Sequence, residues 1–125
     1  MHGDRARVLV VDAANVIGSV PDGWWHDRAG AAARLHAALV RESTSYDEIV
    51  LVVEGKSRAG APEGTVGTVT TVHAPGLGDD EIVARCRELA AAGAAPTLAT
   101  ADRGLIARVR RLGVDVVGPR SVPRS

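Results

Sequence analysis

Val8-Leu9-Val10-Val11-Asp12-Ala13-Ala14-Asn15 is the stretch on which the reading of this chain turns. Four consecutive branched apolar residues, with no polar residue alternating between them, describe a strand buried on both faces, as at the centre of a parallel sheet. Such a strand should be followed by solvent-exposed turn chemistry. Here a carboxylate and, three residues on, an amide follow at once. Turn formation accounts for an Asp or an Asn singly, but less readily for the two together behind the most buried strand.

Working outward, the apolar periodicity alternates between strands and helices. A helix is expected from about Asp27, which can cap it, to Glu42, burying Ala31, Leu35, Ala38 and Leu39. A second strand covers Ile49 to Val53 and a third about Val69 to His73. Between them, residues 54–66 carry three glycines, a proline and mixed charge, and read as a crossover loop or flap. A helix over Asp79 to Ala92 buries Ile82, Val83, Cys86 and Leu89. A fourth strand runs from Pro96 to Thr100, a third helix from Asp102 to Leu112, and a fifth strand from Val114 to Val117. Residues 16–27 read as a loop, and the tail from Gly118, with two prolines, as frayed. The succession β-α-β-β-α-β-α-β predicts an α/β/α sandwich of three layers around a mainly parallel five-stranded sheet in the order 3-2-1-4-5. All 125 residues fit one domain, with its core over about residues 7–117.

Composition narrows the function classes. Fifteen basic residues balance fifteen acidic ones, so no large nonspecific nucleic-acid footprint is advertised, although a local Arg cluster can still face one side. Hydrophobic residues make up 46% of the chain with no Phe, which leaves a core of Val, Leu, Ile and Ala. A single Cys86 excludes an intrachain disulfide and reads as a buried thiol. No stretch is long enough to span a bilayer, and the charged start lacks the apolar segment of a signal peptide, so no membrane association and a cytoplasmic location are expected.

In that fold the ends of strands one and four lie side by side, and ligands collect beyond the carboxyl ends of strands where the order reverses. Asp12 sits at the end of strand one, Asp102 just beyond strand four, and Asp79 and Asp80 at the start of the helix leading into strand four. The four acids are expected to meet in one crevice. Carboxylate oxygens suit Mg²⁺ or Mn²⁺, and no paired Cys or His has zinc spacing. Asp12 and Asp102 are then candidate ligands. Asp79 is a candidate ligand or orienter of a water, with Asp80 the fallback there. Asn15 is placed to bond Asp12, a metal-bound water or a substrate phosphate, and Thr100 to support Asp102. The competing reading for Asp79 and Asp102 is helix capping.

Three segments carry a family resemblance: Val10-Val11-Asp12-Ala13-Ala14-Asn15-Val16-Ile17-Gly18, Gly78-Asp79-Asp80-Glu81-Ile82 and Thr100-Ala101-Asp102-Arg103-Gly104-Leu105. In order and spacing they resemble the PIN-like nuclease superfamily, in particular its NYN branch and the bacterial YacP-like proteins. The resemblance spans roughly residues 7 to 117. It implies a Rossmann-like PIN fold and an Mg²⁺- or Mn²⁺-dependent endoribonuclease acting on single-stranded or structured RNA. It maps the family's metal-site acids onto Asp12, the Asp79-Asp80 pair and Asp102, and its Asn onto Asn15. Small nucleases of this type often work as dimers, so a homodimer is implied as well. This chain departs from the pattern at Ala13-Ala14, where relatives often have Gly-Tyr or Gly-Ser. It departs again at Glu54, where relatives commonly have Asp; Glu54 is either a supporting carboxylate or a solvated loop residue.

RNA contacts are expected near the crevice. Trp24 and Trp25 are two of only three aromatic residues in the chain, and one of them can stack a base while the other packs. Arg28, Lys56, Arg58 and Arg103 are candidate phosphate contacts, with His26 beside them. Arg103 is poorly placed for the helix dipole, which suggests another purpose. Two other function classes compete: an RNA-binding or interaction domain with a weak or decayed metal site, and another Mg²⁺-dependent phosphohydrolase. A haloacid-dehalogenase-type phosphatase would need an Asp two residues after Asp12, where this chain has Ala14, and no Gly-x-Gly-x-x-Gly follows strand one for a dinucleotide.

Overall fold

The computed structural model describes residues 5–42 and 44–123. Strand β1 (Arg7–Asp12) runs directly into a short helix α1 (Ala13–Gly18). A 3-10 turn at Trp24–His26 precedes helix α2 (Arg28–Arg41). Strand β2 (Glu48–Val53), a 3-10 segment at Gly55–Gly60, and strands β3 (Gly64–Val66) and β4 (Val69–His73) follow. Helix α3 (Gly78–Ala91), strand β5 (Ala95–Ala99), helix α4 (Arg103–Arg110) and strand β6 (Asp115–Val117) complete the fold. The sheet has six strands in the order β3-β4-β2-β1-β5-β6. All its pairings are parallel except that of β3 with β4.

The anticipated five-strand order is present, extended at one edge by the hairpin strand β3. That strand escaped the sequence reading because its three residues are all exposed and carry no apolar pattern. Residues 54–66 are not a detached flap. The 3-10 segment lies against α2, and Gly60 is so close to the backbone carbonyl of Ala29 that a Cβ there would clash with it. The His73 ring nitrogen bonds the Ala61 carbonyl oxygen at 2.7 Å, closing the segment onto β4.

The supposed loop after β1 begins with helix α1, which buries Val16 and Ile17. The tail is also corrected. Residues 118–123 do not fray: Val122 is 4% exposed and joins the core, and Arg120 donates to the Ser19 carbonyl at 3.1 Å. Residues 124 and 125 lie outside the described residues.

Side-chain alternation along the strands divides the core into two layers. Leu9 and Val11 of β1, with Ile49, Leu51 and Val53 of β2, pack against Ala31, Leu35 and Leu39 of α2. Val8 and Val10, with Val50 and Val52, face Ile82, Val83 and Cys86 of α3 and Leu105 and Val109 of α4. Burial pushes the Cys86 thiol up to about 11, so it is an inert packing group at neutral pH. Among the described residues no helix is long and apolar enough to cross a membrane.

Candidate metal centre

The strand parity that builds the second core layer also builds the site. Asp12, Glu54 and Thr100 each stand two residues beyond an inward residue of that layer: Val10 on β1, Val52 on β2 and Leu98 on β5. The register pairs Asp12 with Val52 and Val11 with Ala99, so the three side chains line the carboxyl edge of adjacent strands. The chain moves from β1 to β2 and β4 on one side and returns to β5 on the other. The β1–β5 boundary is therefore the point where strand order reverses. The N-termini of α3 and α4 lie over the same face, bringing Asp79 and Asp102.

Asp12 is 7% exposed. Its Oδ2 accepts a hydrogen bond from the Thr100 hydroxyl at 3.0 Å, and its Oδ1 accepts the Asn15 backbone N–H at 3.4 Å, capping α1. Burial pushes its carboxyl up from 3.8 to about 6. The Thr100 and Asn15 hydrogen bonds pull the other way, and the charges of Asp79 and Glu54 push it further up. Asp79 is also raised, first by burial and then by Asp102 and Glu54, with Arg108 partly offsetting them. The charges of Asp79 and Glu54 thus reach Asp12, and those of Asp102 and Glu54 reach Asp79, from four separate segments.

Thr100 and Asn15 hold the crevice walls together. Besides donating to Asp12, the Thr100 Oγ1 accepts the Asp102 backbone N–H at 3.2 Å. The Asn15 Oδ1 accepts the Ala101 backbone N–H at 2.9 Å, tying the β1–α1 junction to the β5–α4 loop. Asn15 thus acts as a brace between two loops, and its bond to Asp12 is through the backbone. Asp102 caps α4, accepting the Leu105 N–H at 2.9 Å. Glu54, which sequence reasoning left between two roles, is neither solvated nor idle. Its Oε2 accepts the Gly78 N–H at 2.6 Å, satisfying an otherwise open donor at the start of α3. The glycine permits this approach, since a Cβ at residue 78 would stand 3.3 Å from the Glu54 carboxyl carbon.

Asp80 is not drawn into the crevice; its exposed carboxylate pairs with Arg108 at 3.1 Å. The acids also stop short of a finished ligand set. Among the described residues no three Asp, Glu, His or Cys side chains stand close enough to hold one ion. Electrostatic coupling reaches farther than ligation, so both observations hold together. The donors are hard oxygens, and among the described residues no basic side chain is ion-paired with Asp12, Asp79 or Asp102. Hard carboxylate oxygens are the donor type that Mg²⁺ and Mn²⁺ prefer, but as placed the acids do not make up a ligand set.

No family profile matches the sequence, and no curated protein matches it. A solved structure does match. The fold aligns with the crystal structure of a mutant of Rae1 (YacP) from Bacillus subtilis at a TM-score of 0.57 and 15% identity, covering 93% of this chain and 72% of the other. The chain has a YacP-like fold. The hydrogen bond between Thr100 and Asp12 was hidden from the sequence reading, because residues 12 and 100 meet only once β5 lies beside β1.

The expected RNA contacts separate into two groups. Trp24 packs against the core, and the indole of Trp25, 49% exposed, meets it edge-on at 5.7 Å. Arg28 lies over the Trp24 ring at 5.4 Å, and Lys56 lines the same pocket. Arg58 turns back to bond the Gly55 carbonyl at 3.2 Å, and Arg103 is exposed at the start of α4 beside Asp102.

Proposed function

We propose that the protein is a divalent-metal-dependent ribonuclease that hydrolyses RNA phosphodiester bonds endonucleolytically, as a YacP-like member of the NYN branch of the PIN-like nucleases. The observation that carries this reading is a buried carboxylate, Asp12, held by the Thr100 hydroxyl at 3.0 Å and facing the charges of Asp79 and Glu54, with no basic side chain paired to it among the described residues. Such an arrangement destabilises the charged form of the site until a cation is supplied.

A bound Mg²⁺ or Mn²⁺ supplies Lewis acidity toward water and toward the phosphoryl oxygens. Asp12 is the anchoring ligand, because Thr100 fixes its rotamer. Asp102 approaches from the start of α4 and Asp79 from the start of α3. Asp79 would be either a further ligand or the group that orients the attacking water. Glu54 holds α3 in register. Arg103, exposed beside Asp102, is the candidate contact to the scissile phosphate.

The spread of the acids favours one second reading, an RNA-binding domain whose metal site is weak. Incubating labelled single-stranded and hairpin RNA with the protein in Mn²⁺, Mg²⁺ or EDTA separates the two. The nuclease reading expects metal-dependent cleavage that folded Asp12→Asn lacks. Binding without cleavage in any metal, or equal cleavage by Asp12→Asn, overturns it.

A further inference from the structure

A pocket of about 320 Å³ adjoins the acidic crevice, and Glu54 belongs to both. This volume is near the lower end of the roughly 300–1,000 Å³ typical of small-ligand pockets. Its apolar wall is Ala14 and Ile17 of α1 with the Trp24 indole, and its polar wall is Arg28, Lys56 and Ser57. A second hollow of about 560 Å³, lined by Trp25 and His26, shares Arg28, Gly55 and Lys56 with the first. The two cations therefore stand on the divide between two aromatic-walled hollows. Neither forms an ion pair among the described residues. Arg28 is also the first residue of α2, where the helix dipole disfavours a cation.

The pocket is thus apolar along one wall, acidic toward the crevice and basic at its far side. A free anion would find Glu54 opposing it and no use for the apolar wall. A purely apolar ligand would leave Lys56 desolvated without a partner and Arg28 with only the Trp24 ring it lies over. An unpaired nucleotide uses both of these walls: its base would lie along Ala14, Ile17 and Trp24, and its phosphate would reach Arg28 and Lys56. A base within a duplex cannot enter such a recess without leaving its stack.

We infer that this pocket is a subsite for one unpaired nucleotide of the substrate strand, set beside the bond to be cleaved. The inference rests on the ribonuclease reading for its place in a reaction, but the binding itself needs no metal.

Trp24 and Trp25 are the only tryptophans in the chain, so intrinsic fluorescence reports directly on the two hollows. The first arm titrates nucleoside 5′-monophosphates, with ribose 5-phosphate as the base-free control, in EDTA. Saturable quenching is expected from the nucleotides and not from ribose 5-phosphate. Ala14→Leu, a change at an exposed helix position that projects into the pocket, should weaken it roughly tenfold or more, and Lys56→Ala should weaken it several-fold. The second arm places a single abasic residue at successive positions of an RNA cut by the wild type in Mn²⁺. One fixed offset from the cut should raise KM and leave kcat unchanged. Absence of saturable quenching, equal binding of ribose 5-phosphate, or full affinity in Ala14→Leu overturns the subsite. If the wild type cuts no RNA, the ribonuclease reading fails while the EDTA titration still decides whether the pocket takes a nucleotide.

Discussion

The Thr100 hydroxyl donates to the Asp12 carboxylate at 3.0 Å across 88 residues of sequence, and the same oxygen accepts the Asp102 backbone N–H at 3.2 Å. One hydroxyl thereby fixes the most buried acid of the site and the loop that carries another. Thr100 is 1% exposed, so neither bond can be replaced by bulk water. Thr100→Val should leave Asp12 Oδ2 without its donor and cost about 1–3 kcal/mol of stability. Because that hydrogen bond lowers the Asp12 pKa, its loss should move the Asp12 titration above about 6. Thr100→Ser should restore both. Urea denaturation and carboxyl NMR titration of the two variants check this.

Asp12 itself predicts a pH-dependent stability. Its folded pKa of about 6 lies above the ordinary value of 3.8, so between those values the folded state binds more protons than the unfolded state. Stability therefore falls as pH rises through that window, and the cost is fully present above it. At about 1.4 kcal/mol per unit of pKa, the cost is on the order of 3 kcal/mol. In EDTA, Asp12→Asn should exceed the wild type by roughly 1–3 kcal/mol at pH 8 and match it below about pH 4. A difference that does not change with pH would contradict the assignment.

Much of this was legible in the sequence. The unbroken apolar run at Val8–Val11 marked the central strand, and the periodicity of α2, α3 and α4 placed the helices that cover the sheet. Asp12, Asp79 and Asp102 could be picked out because each stands at a strand or helix boundary. What was hidden depends on proximity. Glu54 meets Gly78 at 2.6 Å only because β2 ends beside the start of α3. The short helix α1 was obscured because Ala13–Gly18 gives too few turns for a periodic pattern, and Val122 because a lone valine between Ser121 and Pro123 carries none.

Glu54 ties the site to the start of α3. Glu54→Ala should cost about 1 kcal/mol by uncapping that helix, whereas Glu54→Gln, which still offers an oxygen to Gly78, should fold normally. Both changes remove a like charge facing Asp79 and Asp12, so both should lower the pKa of each. Thermal melts together with carboxyl NMR titration separate the capping effect from the charge effect.

The neighbouring acids Asp79 and Asp80 should behave differently. Asp79 faces Asp102 and Glu54, while Asp80 pairs with Arg108 in solvent with its side chain 76% exposed. Exposed pairs of this kind contribute little to stability. Asp79→Asn should lower metal-dependent cleavage by about a hundredfold or more, and Asp80→Asn by less than about threefold. Steady-state cleavage rates of the two variants in Mn²⁺ check the contrast, and equal losses would move the metal-site role onto both residues.

The central claim is that Asp12 anchors a divalent cation in the crevice between β1 and β5. The most direct measurement is calorimetric titration of Mn²⁺ into the wild type and Asp12→Asn at pH 7.5, paired with thermal melts of each. The account predicts saturable binding by the wild type, a melting temperature that rises with Mn²⁺ as binding to the folded state alone requires, and neither effect in Asp12→Asn. Saturable binding of equal affinity in Asp12→Asn, or none in the wild type, would contradict it.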